Sequence, residues 1–206
     1  MPRNPLKQKM PRTHAIFGSR TDVGCVRERN EDSLAVSPPL FAVADGMGGH
    51  AAGDVASELA VKVLMKNAPT TADVDMLGEA VIKANHAVIN EALRAELAGM
   101  GTTMTACVIE GTHLAIAHVG DSRAYLLHHG KLQQLTRDHS LVADMVEAGR
   151  LTEEEARVHP NRSIITRAIG SDPNMQPDLY EITASPGDRL LLCSDGLYSM
   201  VENSRI

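Results

Sequence analysis

Blocks of hydrophobic and polar positions in the first half of the chain predict two strands followed by two helices. Short apolar runs at 33–36 and 40–44 are typical of strands, and Pro38-Pro39 separates them. Over 53–66 and again over 77–97, apolar residues recur every three to four positions, which indicates two amphipathic helices.

The second half of the chain returns to strand patterns. Predicted strands lie at 103–109, 113–119, 124–127, 131–135, 179–183 and 188–193, and predicted helices at 140–148, 152–159 and 199–206. Because strands are followed by two consecutive helices and then by more strands, the order favours an α+β fold on antiparallel sheets over alternating βαβ units. We find no internal repeat.

Composition places the chain among ordinary globular proteins. Its 206 residues are 43% hydrophobic, enough for one domain that needs no disulfide support. We expect the basic stretch 1–14, which contains no acidic residue, to be a disordered tail and 15–206 to form the domain. The net charge of −6 and an aromatic content of 2% argue against nucleic acid as a partner. The core must therefore be built from aliphatic residues and methionine.

The cysteines and the hydropathy pattern bear on the compartment. Cys25, Cys107 and Cys193 are far apart, so they form no disulfide framework or zinc site, and we expect all three to be buried. No apolar run reaches the roughly 18 residues of a membrane span, and stretch 1–14 lacks the apolar run that is typical of a signal peptide. The sequence thus predicts a cytoplasmic protein that has no membrane partner.

Carboxylates recur where apolar runs end. Asp45, Asp121 and Asp195 each close such a run and precede a small residue, and Glu31-Asp32 lies just before another strand. A single Asp-Gly pair indicates no more than a turn. Several carboxylates converging on one rim of a sheet would repel one another unless a cation joined them.

The chemistry of this set indicates which cation would bind. Oxygen ligands without thiolates suit Mg²⁺ or Mn²⁺ rather than zinc, and the glycine at Gly46 would let a backbone carbonyl approach the ion. Two such metals sharing a hydroxide can hydrolyse phosphate esters. Arg27, five positions before Asp32, has the guanidinium shape that holds two phosphate oxygens.

Other chemistries fit less well. None of the three cysteines is followed by an arginine with five residues between them, as cysteine-based phosphatases require. Neither a GxxxxGK[ST] loop nor an HExxH helix occurs. The stretch from Gly46 to Ala51 matches the G-x-G-x-x-A of dinucleotide sites. However, the negative charge of Asp45 would repel a pyrophosphate, and the predicted helix is followed by another helix rather than a strand, so no βαβ unit forms. We expect His118 to be a satisfied core residue, and His50 to be the histidine nearest the site.

Six segments, taken in order, resemble the metal-dependent type 2C serine/threonine protein phosphatases in their bacterial form. They extend over about residues 15–200 and are specific in combination. The segments are Arg27-Glu-Arg-Asn-Glu31-Asp32, Val43-Ala-Asp45-Gly46-Met-Gly-Gly-His50, Gly101-Thr102-Thr103, Val119-Gly-Asp121-Ser-Arg123-Ala, Leu135-Thr-Arg-Asp-His139-Ser and Leu192-Cys-Ser-Asp195-Gly196.

The resemblance implies a four-layer sandwich, in which pairs of helices flank two antiparallel sheets, with a metal site at one end. It implies hydrolysis of phosphoserine and phosphothreonine by a metal-bridging hydroxide, with two Mn²⁺ or Mg²⁺ ions and a possible third. The implied roles are Asp45 bridging both metals, Glu31 and the Gly46 carbonyl on one, Asp195 on the other, Asp32 through water, Asp121 at the third, and Arg27 binding phosphate.

The resemblance also sets expectations beyond the site. Substrates would be phosphorylated serine/threonine proteins, a cognate kinase would oppose the reaction, the protein would be a monomer, and 139–170 would form a substrate-selecting flap. Met47 replaces a histidine of eukaryotic relatives that is a candidate leaving-group acid. The family continues beyond Ile206 with a helix and a strand that supply a further aspartate, so a non-catalytic phosphoprotein-binding module is the alternative function.

Overall fold

The structure, a computed structural model, describes residues 15–48, 52–201 and 205–206. The predicted tail at 1–14 and His50 lie outside the described residues. In chain order the elements are β1 (Asp32–Ser37), β2 (Leu40–Met47), α1 (Gly53–Asn67), α2 (Val74–Glu91), a 3₁₀ turn (Ala95–Leu97), β3 (Gly101–Thr102), β4 (Met104–Glu110), β5 (His113–Val119), β6 (Arg123–His128), β7 (Lys131–Gln134), α3 (Leu141–Glu147), α4 (Glu153–Val158), β8 (Asp178–Thr183), β9 (Arg189–Cys193) and α5 (Asp195–Tyr198).

Two antiparallel sheets organise these elements, which confirms the predicted α+β class. The larger sheet has the strand order β1-β2-β4-β5-β8, with β3 paired to β2, and the smaller one has the order β7-β6-β9. Strands β4 and β5 lie in the middle of the larger sheet and are buried along most of their length. Burial on both faces explains why their sequences are continuous apolar runs rather than alternating ones.

Small side chains allow α1 and α2 to lie close to the larger sheet. Ala56 and Ala60 on α1 are fully buried, as is Ala44 on β2. A second apolar cluster joins the two sheets and includes Cys107 and Ile116 from the larger one. The chain therefore builds its core mainly from alanine and branched aliphatic residues, as its aromatic-poor composition requires.

Two predicted helix boundaries were wrong. Helix α2 begins three residues earlier than expected because Asp73 caps it, its Oδ1 accepting a hydrogen bond of 2.9 Å from the Met76 amide. It ends at Glu91 rather than at 97, and Leu93 beyond it is 80% exposed, so the continued apolar spacing has nothing to pack against. The helix predicted at 199–206 is also wrong in its described part, because α5 ends at Tyr198.

The cysteines and histidines complete the comparison with prediction. Cys107 and Cys193 are buried, but Cys25 is exposed because it lies in a turn before the first strand, so its predicted burial was wrong. His118 is a satisfied core residue, as predicted: its ring bonds to Thr105 Oγ1 and to the backbone oxygen of Arg137, at 2.9 Å each. Among the described helices, none is long and apolar enough to cross a membrane.

Candidate functional site

Two of the predicted carboxylates face each other on the larger sheet. The antiparallel register of β1 and β2 places Asp32 opposite Asp45. The Asp45 amide donates to Thr103 Oγ1, and its carbonyl accepts from the Thr103 amide and from Thr102 Oγ1, each at 2.9 Å. These bonds fix the backbone of Asp45, so its carboxyl group leaves the end of β2 from a rigid position.

Asp121 and Asp195 come from the ends of two other strands. Asp121 follows β5 through Gly120, which has a φ of +106°, and a Cβ there would lie 2.5 Å from Thr103 Cγ2. The turn is held from both sides, since the Gly120 amide donates to His139 Nδ1 at 3.0 Å and its carbonyl accepts from the His139 amide at 2.7 Å. Asp195 is the first residue of α5 and is separated from the end of β9 by Ser194 alone.

Burial and neighbouring carboxyl groups raise the pKa values of Asp32, Asp45 and Asp121. Burial raises the pKa of Asp45 to about 8, and the negative charges of the other three aspartates add to the shift. Burial, with the charge of Asp195 next, raises the pKa of Asp121 to about 6. Burial also raises the pKa of Asp32, against the opposing effect of a 2.7 Å hydrogen bond from Ser194 Oγ. The four carboxyl groups therefore do not all ionise near neutral pH unless a positive charge compensates them.

Glu31 and Gly46 lie at the junction of β1, β2 and α1. The Glu31 carbonyl accepts hydrogen bonds from Ser57 Oγ at 2.6 Å and from the Gly46 amide at 3.1 Å. A Cβ on Gly46 would overlap the Gly53 carbonyl and lie 2.7 Å from the Glu31 carbonyl oxygen. Gly46 is therefore required here because no side chain fits between the strand and the helix.

Arg27 lies five residues before β1, outside the strands that lead to the aspartates. Its side chain is 78% exposed, and its NH1 lies 4.0 Å from Glu31 Oε2, at the limit of an ion pair. A guanidinium this exposed and this loosely paired is free to contact an incoming anion.

All seven predicted site residues line one open cleft: Arg27, Glu31, Asp32, Asp45, Gly46, Asp121 and Asp195. Within the described ranges, no three side chains of histidine, cysteine, aspartate or glutamate lie close enough together to form a metal-binding group as they stand. The cleft fits a hard divalent cation by its oxygen donors and by the unbalanced charge around Asp45. The individual ligand roles remain predictions.

Three side chains around the cleft had no role in the sequence analysis. Arg123 binds Asp138 through a bidentate contact that includes 2.7 Å from NH2 to Oδ2, and Tyr198 donates a 3.0 Å hydrogen bond to the Asp121 carbonyl. Arg123 and Asp138 stand inside the motif segments, which was a signal that they matter. Tyr198 has no comparable signal because its partner lies 77 positions away along the chain.

Comparison with known proteins decides the family. The sequence matches the family described as Protein phosphatase 2C over residues 8–206. The chain belongs to the protein phosphatase 2C family.

Named members of the family show how the chain compares with longer proteins. It is 44% identical over 194 residues to the serine/threonine protein phosphatase PstP of Mycobacterium tuberculosis, covering 92% of this chain but only 38% of that relative. It is 41% identical over 206 residues to the serine/threonine phosphatase stp of Listeria monocytogenes, covering 94% of this chain and 81% of that protein.

A solved structure of the family has the same fold. The catalytic domain of PstP, crystallised in complex with two manganese ions, superposes with a TM-score of 0.82 at 42% identity, over 90% of this chain and 79% of that one. The likeness confirms the two-sheet architecture.

The close packing at Gly46 leads to a stability prediction. Gly46→Ala should lower the melting temperature by several degrees, because forcing atoms into a packed site typically costs about 1–3 kcal/mol and roughly 2–4 °C follows per kcal/mol. Gly196→Ala is the matched control: it also follows a site aspartate, yet its nearest contact would be Ser194 Oγ at 3.9 Å. Calorimetry that gave both variants the same melting temperature would contradict this packing.

The raised pKa values predict that the metal-free protein loses stability as the pH rises. Folded Asp45 keeps its proton up to about pH 8, whereas in the unfolded chain it is released near pH 4. The folded state thus binds more protons in this window, so the free energy of unfolding falls as the pH rises through it. The buried ring of His118, whose pKa is lowered to about 3, acts in the opposite direction but only below about pH 6.5.

The test compares melting temperatures in a chelator between about pH 6.5 and pH 9. The wild type should lose several degrees, and Asp45→Asn should lose much less, because the amide keeps the shape and cannot ionise. Asp75→Asn, at the exposed start of α2, should follow the wild type. Parallel profiles for the wild type and Asp45→Asn would show that Asp45 does not titrate in this range.

Proposed function

We propose that the chain hydrolyses phosphoserine and phosphothreonine in proteins with the aid of Mn²⁺ or Mg²⁺. The observation that carries this proposal is the convergence of three aspartates on Asp45, whose charges oppose its ionisation, in a chain of the protein phosphatase 2C family. The PstP relative crystallised with two manganese ions supports the choice of cation.

The metal-holding roles are those that the family resemblance implies, and the position of each side chain supports them. Asp45, flanked by the other carboxylates, is the residue assigned to both ions, with Asp195 assigned to one of them. Glu31 and the Gly46 carbonyl are assigned to the other ion because they meet beside the start of α1. Asp32 is assigned to bound water, and Asp121 to a third, weaker site. When bound, the ions would activate water and neutralise charge on the phosphate.

Arg27 is assigned to the phosphate group of the substrate. Its exposed guanidinium lines the same cleft as the carboxylates, and its planar donors match two phosphate oxygens. The loose contact with Glu31 holds Arg27 at the edge of the cleft without neutralising it. Arg27 therefore binds and orients the substrate, while the acidic cluster provides the reacting centre.

The flap and the partners are parts of the same proposal. The 139–170 segment carries α3 and α4 and returns to the site through Ile169, whose backbone pairs with Thr102 by bonds of 2.8 and 3.1 Å. A flap anchored beside Asp45 is suited to selecting substrates. The natural substrates would be proteins phosphorylated by a cognate serine/threonine kinase. The proposal includes action as a monomer in the cytoplasm, and the three free cysteines fit the reducing conditions of that compartment.

One observation favours a second candidate function. Within the described residues the acidic side chains are not gathered tightly enough to hold an ion as they stand. A protein that kept the fold and Arg27 without binding both metals would bind phosphoproteins without turning them over. Turnover and metal stoichiometry separate the two functions.

The first test measures phosphate release from a phosphothreonine peptide, with and without Mn²⁺. We expect Mn²⁺-dependent release that Asp45→Asn lowers by at least about 100-fold, since changing even a residue that only supports a metal ligand typically costs about 10–100-fold. Asp75→Asn should release phosphate like the wild type. Absence of Mn²⁺-dependent release from the wild type would leave the binding module as the function.

The second test concerns Arg27. Arg27→Ala should raise the KM for the phosphopeptide about 10-fold or more, because a hydrogen bond to a charged group contributes about 1.5–3 kcal/mol. Arg94→Ala is the control, since Arg94 is exposed and pairs with Glu91 on α2. If the KM of Arg27→Ala stayed at the wild-type value, Arg27 would have no role in phosphate binding.

A further inference from the structure

A buried ionic cluster lies beside the aspartates and has no role in the chemistry above. Arg123 begins β6, two residues after Asp121. Its Nε lies 2.9 and 3.1 Å from the two carboxylate oxygens of Asp138, and its NH2 lies 2.7 Å from Oδ2. The two side chains are only 19% and 12% exposed. Because Asp138 pairs with Arg123 through a bidentate contact, the guanidinium is held in one position and is not available to bind a ligand.

Tyr198 connects the Arg123–Asp138 ion pair to Asp121. The guanidinium carbon of Arg123 lies 3.5 Å from the centre of the Tyr198 ring, which is cation–π stacking. The Tyr198 hydroxyl donates a 3.0 Å hydrogen bond to the Asp121 carbonyl. The ring is thereby held on one side by Arg123, and its hydroxyl is held at the turn that carries Asp121.

The same tyrosine also anchors Asp195. Helix α5 runs from Asp195 to Tyr198, and a helix of four residues has almost no stability of its own. Its position must therefore come from tertiary contacts such as the Tyr198 anchor. Asp121 and Asp195 line the same cleft, and like charges repel each other, so something must oppose their separation.

We propose that Arg123 and Tyr198 are positioning residues that hold Asp121 and Asp195 in the positions at which each of these carboxylates contributes to binding a divalent cation. The inference rests on the proposed function for the identity of the cation. Asp138 supports both residues because it orients Arg123. Asp138 is itself held by a 3.1 Å hydrogen bond from Gln134 Nε2.

The sharpest variant is Tyr198→Phe, which removes the hydroxyl and keeps the ring on Arg123. We expect calorimetric titration of the metal-free chain to show Mn²⁺ bound about 3- to 10-fold more weakly at one site, the effect of losing one neutral hydrogen bond. The Mn²⁺ concentration for half-maximal phosphate release should rise by the same factor, while the KM for the phosphopeptide stays unchanged. Arg123→Lys, which loses the fork and the flat stacking surface, should weaken Mn²⁺ binding further.

The matched control is Tyr180→Phe. Tyr180 is also a half-buried tyrosine, but its hydroxyl contacts the Arg137 amide and Asp178, at 3.4 and 3.5 Å, away from the carboxylate pair. We expect its Mn²⁺ binding to match that of the wild type.

The outcomes separate this inference from the proposed function. If the wild type binds Mn²⁺ and Tyr198→Phe binds it with equal affinity, the inference is overturned while the proposed function stands. A lower melting temperature for Tyr198→Phe with unchanged Mn²⁺ affinity overturns it too, because the role would then be purely structural. A wild type that binds no Mn²⁺ overturns the proposed function and this inference together.

Discussion

Repulsion among carboxylates is the constraint on which the rest of this structure depends. Antiparallel pairing of β1 with β2 places Asp32 opposite Asp45, and the ends of two further strands add Asp121 and Asp195. Left to themselves, such groups would separate or take up protons, and the raised pKa of Asp45 records that tendency. The surrounding polypeptide must therefore fix the backbone at each carboxylate.

The polypeptide fixes each carboxylate through a different set of contacts. Three hydrogen bonds with Thr102 and Thr103 fix Asp45, and Ser194, which follows the last strand of the smaller sheet, donates a hydrogen bond to the Asp32 carboxylate. The Asp121 turn is held by His139 on one side and by Tyr198 on the other. Since the described contacts fix the backbone and leave the carboxylate charges largely unbalanced, the arrangement is suited to a divalent cation.

The sequence predicted the parts of this arrangement that are local. Continuous apolar runs indicated β4 and β5, and an aspartate at the end of each run indicated the acidic rim, because burial and turn chemistry act over a few residues. The two boundaries of α2 failed for different reasons. The Asp73 cap is a local signal that the apolar spacing alone does not reveal, and Leu93 continues that spacing although nothing packs against it. The link between Tyr198 and Asp121 could not be predicted, because only the pairing of β6 with β9 brings such distant positions together.

A crystal of this chain grown with Mn²⁺ would test the account most directly, since anomalous scattering locates manganese without reference to activity. The account predicts two peaks about 3.5–4 Å apart, both within coordinating distance of the Asp45 carboxylate. Peaks that bypass Asp45, or none in the cleft at saturating Mn²⁺, would contradict the claim that the repelling carboxylates are held in place to bind divalent cations.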